Sequence, residues 1–283
     1  MDLTYRLLNV FADGDNPFTG TSVCVFDEAT SLDTETMQAL AERVNTESVF
    51  VLPGEGVADA TLRFFSPKKE TGFAGSASLG SAHVVRELLG GTGDVTLAEE
   101  TVGVVTITQS EQLWVFQARP AKVRTIDSAP QILASLVGLK MDAIKGDVMI
   151  IEAARSGIVL PIRSVEDLRA TRLDGRMLHS YAMLQNCEPA LYVWAESGQN
   201  QVESRMFYGP HGGLLEVSAT GSGAANLGRW LAARGVTGTT REIIQGVAVG
   251  RPSKARLTVS EDGTVYVGGQ VKQLAKGTFS LDL

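Results

Sequence analysis

Cysteine is almost absent: Cys24 and Cys187 are the only two in 283 residues, and neither belongs to a Cys-x-x-Cys pair. This excludes a disulfide scaffold and a thiolate metal site, and fits a reducing compartment. Histidine is also scarce. His83, His179 and His211 show no His-x-x-x-His spacing, so a zinc hydrolase has no ligand set. No run of Lys or Arg offsets a formal net charge of -7, which would repel a phosphate backbone, so nucleic acid is not an expected partner. No apolar run reaches the roughly 18–20 residues that cross a bilayer. The opening residues Met1 to Val10 read as a strand and not as a leader peptide. No Gly-x-Gly-x-x-Gly follows a strand and no Gly-Lys-Ser/Thr loop occurs, so a nucleotide cofactor is not expected. The expectation is a cytoplasmic protein with neither membrane nor nucleic-acid partner and no cofactor.

What is present is ample core material. Hydrophobic residues make up 44% and charged residues 20%, and 283 residues suit two domains of ordinary size. Strand character recurs in short stretches rich in Val, Ile, Thr and aromatics. These are 22–26, 48–52, 61–65, 102–108, 113–117, 190–194, 204–207, 256–259 and 264–267. Residues 33–44 predict an amphipathic helix with Met37, Leu40, Ala41 and Val44 on one face and Asp33 as N-cap. Shorter helices are expected over 130–139 and over 164–170, the latter capped by Ser164 with Glu166 and Asp167 in its first turn. Two further helices, 76–89 and 222–233, are apolar almost all round and rich in Gly and Ala, which predicts burial on every side. Many short strands with one such helix in each half imply an α+β fold of sheets wrapped around central helices.

The halves repeat one another. Arg63-Phe64-Phe65-Ser66-Pro67 precedes Glu70, and Gly75-Ser76 opens the first buried helix. Arg205-Met206-Phe207-Tyr208-Gly209-Pro210 precedes Glu216, and Gly221-Ser222 opens the second. In each copy the Glu stands five positions before the Gly. An ordered series of this kind is the mark of a duplication, although turns alone also call for Gly and Pro. If a pseudo-two-fold axis relates the halves, the two Gly-Ser starts can face one another across an inter-domain cleft. Helix starts offer unpaired N–H groups and partial positive charge, which suits a carboxylate. A plainer reading is that Ser76 and Ser222 cap their helices. Glu47, in Asn45-Thr46-Glu47-Ser48-Val49-Phe50, sits where a helix gives way to an apolar strand, and partial desolvation there would tune a carboxyl for proton transfer.

These stretches resemble the phenazine-biosynthesis isomerase (PhzF) family. Asn-Thr-Glu47-Ser-Val-Phe is similar to the family's Ser-Glu-(Ser/Thr)-x-Phe. Ser66-Pro67 through Gly75 is similar to its Thr-Pro-x-x-Glu-x-x-Phe-Ala-Gly. Glu216 through Ser222 is similar to its Glu-Asp-x-x-Thr-Gly-Ser, and Gln245-Gly246 through Gly250-Arg251-Pro252-Ser253 to its Gln-Gly-x-x-x-Gly-Arg-Pro-Ser. The resemblance runs from Asn9 to Ser253. It implies the diaminopimelate epimerase-like fold of two pseudo-symmetric half-domains, each a curved, mostly antiparallel sheet or barrel around a central helix. Residues 1–117, completed by 274–283, would form one half and 118–273 the other, in a homodimer. It implies Glu47 as catalytic acid/base, with Gly75, Ser76, Ser218, Thr220, Gly221 and Ser222 binding a small-molecule carboxylate. The family's His falls on Ser76, its Asp on Val217 and its early Gly-Asn-Pro on Gly20-Thr21-Ser22. His211 is a candidate accessory base or an exposed turn residue. No Cys stands near Ser76 or Ser218, so two-thiol racemisation is not expected. Two functions remain open: a cofactor-independent isomerase, or a ligand-binding pseudoenzyme that keeps the cleft without the chemistry.

Overall fold

The computed structural model describes residues 1–100, 102–153 and 155–281. Its chain divides into two units, Met1–Gln117 with Gly268–Leu283, and Ala118–Val267. The first unit contains β1 (Asp2–Ala12), β2 (Thr21–Phe26), α1 (Thr34–Val44), β3 (Glu47–Pro53), β4 (Ala60–Phe65), β5 (Glu70–Thr71), α2 (Gly75–Leu89), β6 (Val95–Glu99), β7 (Gly103–Ser110) and β8 (Leu113–Ala118). β1 pairs antiparallel with β2, β2 parallel with β3, β3 antiparallel with β4, and β4 parallel with β6; β6, β7 and β8 continue antiparallel.

This sheet curls around α2, which touches β1, β2, β3, β6 and β7. Small residues permit the fit: a Cβ on Gly80 would lie 3.3 Å from both Leu8 Cδ1 and Val10 Cγ2. Burial of α2 is not complete, contrary to expectation. Its first three turns are enclosed, but Leu88 and Leu89 near its end are 44% and 52% exposed. The sheet's other face is covered by α1, which begins where Asp33 accepts from the Thr36 amide at 2.8 Å. Met37, Leu40 and Ala41 of α1 join a cluster with Phe26, Phe50 and Phe65. There the Phe26 and Phe50 rings stack at 4.7 Å.

The second unit contains β9 (Lys122–Thr125), α3 (Pro130–Val137), β10 (Met149–Glu152), β11 (Gly157–Pro161), α4 (Val165–Ala170), α5 (Gly175–Leu184), β12 (Ala190–Gly198), β13 (Gln201–Tyr208), β14 (Leu215–Val217), α6 (Gly221–Ala233), β15 (Thr239–Gln245), β16 (Ser253–Val259) and the start of β17 (Val265–Ser280). From Gly268 onward β17 belongs to the first unit, earlier in the chain than the expected residue 274. There it pairs antiparallel with β1, from Asp2↔Ser280 to Ala12↔Gln270. Within the second unit α6 is the enclosed helix, touching β9, β10, β11 and β16. A Cβ on Gly228 would meet Val265 Cγ1 at 2.5 Å, so the strand is seated directly on the helix backbone. Helices α3, α4 and α5 contribute Leu133, Leu168 and Leu178 to a separate apolar cluster with Leu160, Leu191 and Phe207.

The repeat read from the sequence is carried by matching pairings. β10–β11 is antiparallel, β11–β12 parallel, β12–β13 antiparallel and β13–β15 parallel, as in β1 to β6. Phe65 pairs with Glu70 in one unit and Phe207 with Glu216 in the other. In each unit the Arg two residues before that Phe forks onto the Glu. Arg63 donates from Nε and Nη2 to the two oxygens of Glu70 at 2.8 Å each. Arg205 does the same to Glu216 at 2.9 and 2.8 Å. Both guanidinium groups also lie over the Phe ring, at 5.3 and 4.8 Å from its centre. The fold class is the expected α+β, with each unit a curved, mostly antiparallel sheet around its own helix.

Candidate active site

Glu47 owes its place to a helix ending and a strand pairing. α1 closes at Asn45, whose left-handed backbone (φ 51) lets its N–H reach the carbonyls of Ala41 and Glu42. The chain then reverses into β3, and the parallel register Val23↔Glu47 fixes where that strand begins. A short hydrogen-bonded series holds the junction. Thr46 Oγ1 donates to the Ser22 carbonyl at 3.2 Å, Ser22 Oγ to Asn9 Oδ1 at 2.9 Å, and buried Asn9 to the Pro17 carbonyl at 2.7 Å. Gly20 permits this folding back, because at φ +84 its missing Cβ would sit 2.4 Å from the Val10 carbonyl oxygen. Glu47 itself is half-buried, with Val49 and Phe50 fully buried after it.

The first turn of α2 meets this carboxylate. Ser76 Oγ donates to Glu47 Oε2 at 3.0 Å. Ser76 is therefore not a cap: it is the second helical residue, and the cap position is held by Ala74, which supplies no side-chain acceptor. Ser222 is likewise the second residue of α6, and the cap there is Thr220, whose Oγ1 accepts from the Gly223 amide at 3.2 Å. Ser222 Oγ lies 3.0 Å from Thr220 Oγ1. The plain capping reading of both serines is thereby corrected. The actual caps stand two residues earlier, at positions where the repeat has one Ala and one Thr.

The second helix start is braced from behind. Gln245 Nε2 donates to the Val217 carbonyl at 2.9 Å, and Ser253 Oγ to the Ser218 carbonyl at 2.9 Å. Gly246, at φ +80, has no room for a side chain: a Cβ would stand 2.5 Å from the Ser218 carbonyl oxygen. The Gln-Gly…Ser motif thus fixes the backbone of residues 217–218, and Ser218 is buried. Beneath α6, a Cβ on Gly223 would fall 2.5 Å from Thr220 Cγ2 and 2.6 Å from Tyr192 Cδ2. Tyr192 is buried with its hydroxyl donating to Ser204 at 2.9 Å, and burial raises its phenol above the ordinary range. The turn bearing His211 packs on the start of α5, and His211 is exposed with a left-handed backbone, φ 52.

The two copies differ at one decisive position. Phe50 faces Arg63 across β3–β4, and Val193 faces Arg205 across β12–β13. Three residues upstream of these stand Glu47 and Ala190, so only the first copy carries an acid. The structure thus brings Glu47, Gly75 and Ser76 together in one unit, and Ser218, Thr220, Gly221 and Ser222 in the other. Sequence reading missed the Asn9–Ser22–Thr46 series and the Arg–Glu forks that tie β4 to β5 and β13 to β14. The repeated Arg-x-Phe…Glu pattern was the available signal for the forks. Among the described residues, no group of three or more His, Cys, Asp or Glu is arranged to hold a metal ion. Among them too, no helix is long and apolar enough to cross a membrane.

A family model described as phenazine biosynthesis-like protein (PhzC-PhzF) matches residues 8–277. The chain is 32% identical over 295 residues to a trans-2,3-dihydro-3-hydroxyanthranilate isomerase of Pseudomonas aeruginosa, covering 96% of this chain and 98% of that one. A PhzF-family phenazine biosynthesis protein of Bacillus anthracis superimposes with a TM-score of 0.85 at 16% identity, over 99% of this chain and 100% of that one. A hydroxyproline epimerase of Agrobacterium vitis shares the fold at a TM-score of 0.63 and 13% identity, over 99% and 93% of the two chains. The chain belongs to the phenazine biosynthesis-like (PhzC-PhzF) family of isomerases.

Proposed function

We propose that this isomerase moves a proton between carbons of a small carboxylate, with Glu47 as the group that carries it and without a cofactor. The observation that supports this most is the single acid in a duplicated fold: Glu47 in one copy, Ala190 in the other. Racemisation works both faces of a carbon and calls for a group on each side. One carboxyl removes a proton and returns it from the same side, which produces a shift of a double bond. The C–H bond breaks, its electron pair spreads into an adjoining unsaturated system, and a new C–H bond forms at another carbon with the proton from Glu47.

The substrate's own carboxylate is assigned to the helix starts, Gly75–Ser76 and Thr220–Ser222, whose first-turn N–H groups, together with the hydroxyls of Thr220 and Ser222, complement negative charge, while the Ser76 hydroxyl is held by Glu47. The name of the Pseudomonas relative supports a cyclic, unsaturated carboxylate as substrate class. With Ser76 and Val217 in place of the family's His and Asp, the proton work falls to Glu47 alone. The test is steady-state isomerisation of trans-2,3-dihydro-3-hydroxyanthranilate by the full chain. Glu47→Gln should abolish turnover with an unchanged circular dichroism spectrum, while Thr220→Ala should raise KM with a smaller effect on kcat. Undiminished turnover in Glu47→Gln would refute the assignment.

A further inference from the structure

We infer that Ser76 is a positioning residue that works through Glu47: its hydroxyl fixes the carboxyl and favours the ionised, proton-accepting form. The inference rests on Glu47 being the proton-carrying group. Its grounds lie in how the two copies of the repeat use the same serine. Ser76 and Ser222 occupy the same place, second in the helix after a Gly. In the second unit, where Ala190 stands in place of the acid, Ser222 turns back to Thr220 at 3.0 Å. In the first unit the cap position is Ala74, which offers no hydroxyl, and Ser76 reaches Glu47 at 3.0 Å.

The serine is thus not needed to satisfy its own helix, and its hydroxyl contacts an acid only in the copy that has one. A hydroxyl donating to a carboxylate stabilises the charged form. The contact also brings the carboxylate to the first turn of α2, where the aligned peptide dipoles favour negative charge. A glutamate has three side-chain torsions to fix, and a partner on a buried helix removes that freedom. The hydroxyl oxygen can also accept a hydrogen bond from the O–H of a neutral carboxylic acid, so the same pair persists after Glu47 has taken up a proton.

The experiment is carboxyl 13C NMR of the full chain labelled at glutamate side chains, with Glu47→Gln used to assign the resonance. Ser76→Ala should raise the Glu47 titration midpoint by about one pH unit, and Ser76→Thr, which keeps a hydroxyl, should restore it. Ser76→Gly gives a second hydroxyl-free variant should alanine perturb the helix. A midpoint that does not move in either hydroxyl-free variant, or that threonine fails to restore in a folded protein, overturns the inference. This readout needs no turnover: if Glu47→Gln keeps its activity the isomerase assignment falls, while the titration still decides the role of Ser76.

Discussion

The two Arg–Glu forks are the same device in different surroundings, and their cost of removal should differ accordingly. In the second unit the side chains of Arg205 and Glu216 are 10% and 14% exposed, whereas Arg63 and Glu70 are 28% and 40% exposed. Arg205 also donates from Nη1 to the carbonyls of Leu168 and Thr171 at 3.2 and 2.9 Å, at the end of α4. Glu216→Gln keeps the shape but leaves a buried guanidinium without its counter-charge, which should cost about 3 kcal/mol. Glu70→Gln removes a more solvated partner and should cost no more than about 1 kcal/mol. Hydrogen exchange followed by mass spectrometry separates the two, since peptides over 201–233 and over 60–89 report each unit on its own. Globally limited amides in the first segment should exchange about a hundredfold faster in Glu216→Gln, and those in the second no more than about fivefold faster in Glu70→Gln. Equal effects, or a larger one for Glu70→Gln, would refute the claim that burial sets the strength of the repeated fork.

Other perturbations test neighbouring parts of the account. Gly223→Ala places a methyl group against Tyr192 and Thr220 and should destabilise the second unit by about 1–3 kcal/mol, read from chemical denaturation, with KM rising more than kcat falls. Burial pushes the thiol of Cys24 up to about 12 and that of Cys187 to about 11. Both should therefore resist alkylation at neutral pH in the native state and react on unfolding, measured by mass spectrometry with iodoacetamide. Burial also holds His83 below its ordinary range. An imidazole depressed in the fold binds more protons when unfolded, so stability should fall as pH drops below about 6.5, and His83→Phe should flatten that slope in urea melts at a series of pH values.

Much of the architecture was legible because it obeys local rules. Asp33 and Ser164 cap α1 and α4 as expected. The Gly- and Ala-rich pattern marked both enclosed helices, since only small side chains let strands sit on a helix backbone. What escaped were elements whose stability comes from tertiary contacts. The sequence GRMLHSYAML of α5 mixes polar and apolar residues without a clean stripe, although Asp174 receives the amides of Arg176 and Met177 as an N-cap should. The C-terminal part of β17 is largely polar because one edge of it is occupied by β1 and much of its surface faces solvent. The contact between Glu47 and Ser76 spans 29 positions and depends on the β2–β3 register, so no local pattern announces it. Glu47 was legible from its place between a helix and an apolar strand and from the resemblance; its bond to Ser76, and the Ala190 that takes its place in the second copy, depend on strand pairing.

One carboxyl, Glu47, on one copy of a duplicated fold, is assigned the whole of the proton transfer. The most direct measurement is deuterium incorporation from heavy water into small cyclic and unsaturated carboxylates, followed by mass spectrometry for the full chain and its Glu47→Gln variant. The wild-type chain should introduce deuterium into at least one of them, and Glu47→Gln should lower that rate by about 10²–10⁴-fold. Exchange that survives intact in Glu47→Gln, or a wild-type chain that labels none of them, would contradict the account.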